Sequence, residues 1–364
     1  MRHGQSTYNA EGRFQGCSDR PQLTAAGIAA AQAAAGYLRG AGLDAVITSP
    51  LRRACHTALW IYKRAWRNVS EGPRFALDNQ LREIELPLWE GMAVASVRRE
   101  HAEQYRIWKE QPHLFRMEDR LPVAGLFDRA ESFWRGLLKC YAGKTVLAVT
   151  HGGAGRALIS TALGIPPERF HAIQQSNAAI SLLEFPSHTE VRARLLAANA
   201  TDYLGERLPK LKESKTGVRI LLLPAGAAAS SQVSHIEQIL QNTRIHAAFG
   251  DCAASREIAS RLVSGHEIRA GVAPELPAAG GPPDSLTTLL WVVEERLFLR
   301  RVAEALGVPR NGGGRLSAVP YTLTVLHYPG PGKAPILQAM NLHDTGRLAR
   351  STEPIPAGGG SVTR

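Results

Sequence analysis

The sequence predicts an α/β fold with largely parallel sheets, arranged as two domains. Three observations carry this: two short apolar runs that each lead through a polar turn into a helical pattern, a third apolar run closed by a turn after a polar linker, and a set of motifs that recur about 143 residues apart. At 364 residues the chain is long enough for two domains.

Taken in order, residues 45–49 (Ala-Val-Ile-Thr-Ser) form the first run, ended by Pro50 and followed by a helical pattern over about 51–65. Residues 145–150 (Thr-Val-Leu-Ala-Val-Thr) form the second, ended by His151-Gly152-Gly153 and followed by a helical pattern over 154–163. Ligands of parallel sheets bind beyond the carboxyl ends of the strands. These units therefore aim Ser49, Arg52 and Arg53 from one strand, and His151 from the other, at a candidate site. Residues 210–217 are polar and read as a linker. Arg219–Leu223 then reads as a strand closed by Pro224-Ala225-Gly226. The stretch from Ser351 to Arg364 is rich in Gly, Pro and Ser and is expected to be a disordered tail.

Leu163-Gly164-Ile165-Pro166 recurs as Leu306-Gly307-Val308-Pro309, a shift of 143, and at that shift Ile180–Leu183 meets Leu323–Leu326. With one residue less, Asn199 and Asp202 meet Asn341 and Asp344. Matches in this order imply a degenerate duplication whose second copy starts near Thr216. The expected domains are 1–213 and 216–350, followed by the tail 351–364.

Apolar residues make up 44% of the chain and charged residues 21%, a globular rather than a disordered composition. No apolar run reaches 18 residues, and the start has no apolar signal-peptide core. The four cysteines lie far apart, with neither a disulfide framework nor a zinc spacing, so a cytoplasmic location is the expectation. The formal charge of +11 would suit nucleic acid, an anionic membrane or an acidic small molecule. The basic residues are scattered, with no run interleaved with aromatics, so neither nucleic acid nor membrane is the expected partner.

The chemistry-bearing motifs begin at Arg2-His3-Gly4-Gln5-Ser6, followed by Asn9 and Arg13-Phe14-Gln15-Gly16. Leu23-Thr24-Ala25-Ala26-Gly27 comes next, then Ser49-Pro50-Leu51-Arg52-Arg53-Ala54 with Thr57-Ala58. Leu81-Arg82-Glu83-Ile84, Trp89-Glu90-Gly91 and Thr150-His151-Gly152 complete the series. In this order the motifs closely resemble the histidine phosphatase superfamily, the phosphoglycerate mutase-like proteins, over about residues 1–205. The resemblance implies three-layer α/β domains of that kind. It also implies that His3 attacks phosphorus, suited to this because neutral imidazole is nucleophilic near pH 7. By the same resemblance Arg2 and Arg52 bind phosphate through forked, permanently charged donors. His151 stabilises transition-state charge, and Glu83 serves as acid and then base. Asn9, Gln15 and Gly152 line the phosphate pocket. No cofactor is implied, and no metal-ligand spacing occurs. Arg53 is expected to be a helix-surface charge. Glu85 and Glu90 compete for the acid role, but Glu83 holds the third place of Leu-x-Glu. His56, His101, His113 and His171 are expected to be ordinary surface or core residues.

Two departures stand out. Family members usually carry a strand before Arg-His-Gly, whereas only Met1 precedes it here, so the first strand of the first domain is expected to be missing through a truncated start. In the second copy, Ala225 takes the place of His3, Glu294 that of His151, and Ala253 or Ala254 that of Arg52, so residues 216–350 are expected to be non-catalytic. The expected activity is metal-independent hydrolysis of a small phosphorylated metabolite of the phosphoserine or sugar-phosphate type, through a phosphohistidine. The alternatives are a phosphoglycerate mutase and a weakly active phospho-ligand-binding or regulatory protein. Association through either domain is left open.

Overall fold

The computed structural model describes residues 1–67, 72–212, 215–226, 230–263, 268–270, 285–309, 314–330 and 332–342. The expected tail 351–364 and Asp344 lie outside the described residues. The strands are β1 (Ala45–Thr48), β2 (Arg74–Leu77), β3 (Val146–Val149), β4 (Ile180–Glu184), β5 (Arg194–Ala200), β6 (Gly217–Pro224), β7 (Ala247–Gly250), β8 (Ile268–Ala270), β9 (Leu286–Val293), β10 (Leu323–Tyr328) and β11 (Ile336–Leu342). The helices are α1 (Thr7–Ala10), α2 (Ala25–Leu38), α3 (Arg52–Ala65), α4 (Val94–Glu100), α5 (Ala102–Glu110), α6 (Pro122–Cys140), α7 (Gly152–Leu163), α8 (Ser230–Leu240), α9 (Ala253–Leu262) and α10 (Glu295–Leu306). None of the described helices is long and apolar enough to cross a membrane.

The expected strand–turn–helix units are present as β1–α3 and β3–α7. They sit in a three-stranded parallel sheet of order β2-β1-β3. Alternate residues of β1 feed opposite layers. Val46 packs with Ala31, Ala34, Leu38, Ala58 and Ile61 under α2 and α3. Ala45 and Ile47 join an aromatic core that includes Trp89, Trp108, Phe115, Phe133 and Phe170.

The second sheet corrects one expectation. It is mixed rather than mainly parallel, with eight strands in the order β4-β5-β11-β10-β6-β9-β7-β8. The parallel pairs are β6–β9, β9–β7 and β7–β8. The pairs β4–β5, β5–β11, β11–β10 and β10–β6 are antiparallel. Antiparallel neighbours arise because β4–β5 and β10–β11 are joined by short connections, which cannot make the crossover that a parallel pair needs. β4 and β5 precede the linker, yet they hydrogen-bond into the sheet of the second half. Along β6 the side chains again alternate: Ile220 and Leu222 face one core, Leu221 and Leu223 the other.

Between β3 and β4 no regular strand is described. Residues 1–3 run there instead, with a single parallel bridge between Arg2 and Thr150. Arg2 N–H donates to Ala179 O (3.1 Å), His3 N–H to Thr150 O (2.9 Å) and Thr150 N–H to Met1 O (2.9 Å). Beside them lies an open groove of about 1100 Å³, lined among others by Met1, Leu147, Ile180 and Leu196.

Candidate active site

The site forms where the expected runs end, at the carboxyl ends of β1 and β3. His3 and His151 are buried, with ring centroids 5.2 Å apart and edge-on. Nδ1 of His3 lies 2.6 Å from Gly4 O. A carbonyl can only accept, so Nδ1 carries the proton and Nε2 keeps a lone pair. Nε2 of His151 lies 2.8 Å from Ser49 Oγ, which itself accepts Leu51 N–H. Burial, and then the nearby Arg2 and Arg53, holds the His3 imidazole well below its ordinary pKa. Burial and then Arg53 do the same for His151. Both rings are therefore neutral near pH 7.

The motifs are linked by close backbone approaches. A Cβ on Gly4 would lie 2.4 Å from Gly27 O, and one on Gly27 would lie 2.1 Å from Gln5 O. Arg-His-Gly and the start of α2 thus fit only because both positions are glycine. Gly4 N–H donates to Thr57 Oγ1 (3.1 Å), whose hydroxyl donates to Arg53 O (2.6 Å), tying the His3 turn to α3. Thr150 Oγ1 donates to Leu81 O (2.8 Å), tying the end of β3 to the Leu-x-Glu loop.

Arg2 donates through Nη1 to Gln175 O (2.6 Å), and burial lowers its pKa to about 10, which leaves it charged at neutral pH. The second arginine of the cluster is Arg53, not the expected Arg52. Arg53 is 1% exposed; its Nη1 donates to Ser18 O (2.7 Å) and its Nη2 to Gly16 O (2.8 Å). Arg52 is 61% exposed in its side chain and pairs with Asp19 at 3.3 Å. The reason is helical phase: the buried stripe of α3 contains Arg53, Ala54, Thr57, Ala58 and Ile61, and Arg52 lies off it. The spacing 53–57–61 was the sequence signal that distinguishes them.

Glu83 caps α7. Its Oε1 accepts from Ile84 N–H and Ala154 N–H (both 2.9 Å) and its Oε2 from Gly153 N–H (3.0 Å), at the end of the helix where negative charge is favoured. A Cβ on Gly153 would lie 2.6 Å from Glu83 Oε1, so that glycine keeps the end open, while one on Gly152 would make an ordinary 3.5 Å contact with the Arg2 guanidinium carbon. The competing acids are placed elsewhere: Glu90 accepts Cys17 N–H (2.6 Å), and the exposed Glu85 pairs with Arg120 (3.2 Å). Asn9 Oδ1 accepts from Ser6 N–H (3.2 Å) and Asn177 Nδ2 (2.9 Å), while Gln15 Oε1 accepts Ser6 Oγ–H (2.8 Å). Asn177, which also donates to His3 O (3.4 Å), and Gln175 belong to an irregular loop that no local sequence pattern marked.

Nε of Arg2, Nε of Arg53 and Nδ1 of His151 are buried without a hydrogen-bond partner among the described residues. Two cations, two neutral imidazoles and these unused polar atoms form a cradle suited to a tetrahedral oxyanion.

The histidine phosphatase superfamily (branch 1) family model matches residues 1–199. The chain is 37% identical over 185 residues to a probable 2-carboxy-D-arabinitol-1-phosphatase of Arabidopsis thaliana, covering 51% of this chain and 37% of that protein. It is 30% identical over 206 residues to phosphoserine phosphatase 1 of Hydrogenobacter thermophilus, covering 57% of this chain and 93% of that protein. It is also 30% identical over 217 residues to a probable phosphoglycerate mutase of Yersinia enterocolitica, covering 58% of this chain and 96% of that protein. The chain thus spans less than half the length of the Arabidopsis relative and nearly all of the other two. The match over more than half of the sequence, with its motifs drawn together at the ends of β1 and β3, shows that the chain belongs to the histidine phosphatase superfamily.

Proposed function

We propose that the chain hydrolyses a small phosphorylated metabolite, with His3 as nucleophile. The observation that supports this most directly is the His3–His151 pair, 5.2 Å apart, flanked by the buried donors of Arg2 and Arg53. With Nδ1–H donated to Gly4 O, His3 Nε2 attacks phosphorus. The P–N bond forms as the ester P–O bond breaks, and the leaving oxygen takes a proton that Glu83 carries on Oε2, the carboxyl oxygen accepting a single N–H. A water molecule then attacks the phosphohistidine, giving its proton to Glu83; inorganic phosphate leaves and Nε2 regains its lone pair. Arg2 and Arg53 offset the charge that develops on the equatorial oxygens, and the neutral His151 offers them a hydrogen bond through Nδ1–H. These groups suffice for the steps as written, so turnover is expected in excess EDTA.

The phosphatase names among the relatives favour a carboxylated sugar phosphate or phosphoserine as the substrate type. The relative named as a probable mutase supports a second reading, phosphoryl transfer between positions of phosphoglycerate. Phosphate release from a metabolite panel in EDTA, for the wild type and His3→Ala, separates the readings. Release abolished by His3→Ala and a base-stable, acid-labile phosphoenzyme support hydrolysis. Interconversion of 3- and 2-phosphoglycerate without phosphate release would replace it with the mutase, and release that survives His3→Ala would refute the nucleophile.

A further inference from the structure

The half without the motif residues retains the backbone of the half that has them. Ala225 N–H donates to Val293 O (2.7 Å) as His3 N–H donates to Thr150 O (2.9 Å). Glu294 heads α10 as His151 heads α7. Left-handed residues recur in step: Gly164 and Gly307, Ala178 and Tyr321, Asn199 and Asn341. The two halves also meet reciprocally. Ile173 bridges Leu337, and Leu316 bridges Leu195. Asn199 Nδ2 donates to Gln338 O (2.5 Å), and Asn341 Nδ2 donates to Leu196 O (2.7 Å). Each pair maps onto the other by shifts of 142 or 143, the i-to-j and j-to-i pattern of a two-fold interface.

One departure from the match touches the phosphate site. Where the first half has Leu196, the second has the buried Gln338. Its Nε2 donates to Gln174 Oε1 (3.2 Å), while its own Oε1 accepts Arg219 Nε–H (3.2 Å). Gln174 N–H donates to Leu337 O (2.8 Å), and Ser176 N–H to Asn199 Oδ1 (2.6 Å). These bonds fix the loop 174–177, whose Gln175 O accepts Arg2 and whose Asn177 donates to His3 O. In the corresponding loop of the second half, Ser317 N–H donates to Leu195 O (3.1 Å), and Pro320 stands in the place of Asn177.

We propose that the second half is a built-in two-fold partner of the first, and that Gln338 is the positioning residue through which it holds Arg2 and His3 in register. The proposal rests on the phosphatase reading above. Its test uses the full chain and inorganic phosphate as the probe, with binding affinity and stoichiometry measured by calorimetry beside kcat and KM. Gln338→Met keeps the length but loses the amide. It is expected to weaken phosphate binding about three- to tenfold at unchanged stoichiometry, and Gln338→Glu, which keeps the Arg219 contact but offers Gln174 Oε1 no donor, is expected to lose as much. Asn341→Gly loosens the mirror contact, which faces the other loop, and is expected to lower the unfolding temperature without changing phosphate affinity. Wild-type affinity in Gln338→Met, or an equal loss in Asn341→Gly, overturns the positioning role alone. A wild-type protein that neither binds phosphate nor turns over substrate overturns the phosphatase reading and this inference with it.

Discussion

Replacing Arg53 with Met removes a buried guanidinium and keeps most of its length. Two effects follow and can be measured apart. Gly16 O and Ser18 O lose their donors, at about 1–3 kcal/mol for each carbonyl left unsatisfied. The transition state loses one preorganised cationic donor, whose removal costs about 10²–10³ in rate, or about 2.7–4 kcal/mol. Arg52→Ala removes only an exposed 3.3 Å pair with Asp19, worth about 0–1 kcal/mol, and leaves turnover unchanged. The assay is phosphate release per folded molecule, with the folded fraction taken from denaturant unfolding of each variant. Arg52→Ala losing as much turnover as Arg53→Met, or Arg53→Met keeping full turnover once folded, would refute the assignment by helical phase.

Three further outcomes are expected. Because the folded state holds His3 and His151 well below their ordinary pKa while the unfolded chain titrates near about 6.5, the unfolded state binds more protons in acid; urea unfolding should show stability falling as the pH drops below about 6.5, with a shallower fall in His151→Gln. Gly153→Ala forces its Cβ against Glu83 Oε1 at 2.6 Å, so kcat should fall about tenfold or more, in the range of general acid–base contributions, while calorimetry shows phosphate still bound. Gly27→Ala, with a Cβ 2.1 Å from Gln5 O, should destabilise the fold by about 1–3 kcal/mol in denaturant unfolding, as overpacking does; an unchanged midpoint would count against the close approach of Arg-His-Gly and α2.

What could be read in the sequence was what is local. His3, Glu83 and His151 each sit in a short motif, and the motifs are brought together by backbone contacts that the glycines permit. Arg53 could be chosen over Arg52 only by weighing the phase of α3, because neighbouring helix residues point about 100° apart. The antiparallel strands were harder to read. β11 carries Gln338 and Asn341 among apolar residues, all buried, so it shows no alternation. Gln175 and Asn177 were invisible for a different reason: an irregular loop is shaped by its distant partners, here Asn199 and β11, and local spacing does not encode those.

The shared sheet has a thermodynamic consequence. β5 is bonded on one edge to β4, from its own half, and on the other to β11, from the other half. Opening the second half would strip β5 of a neighbour and release the loop that carries Gln175, so the two halves should melt as one cooperative unit, in a single calorimetric transition. Substitutions deep in the half without the motif residues, Gln338 apart, would then lower the amount of active protein in proportion to the folded population, while each surviving molecule keeps its intrinsic rate.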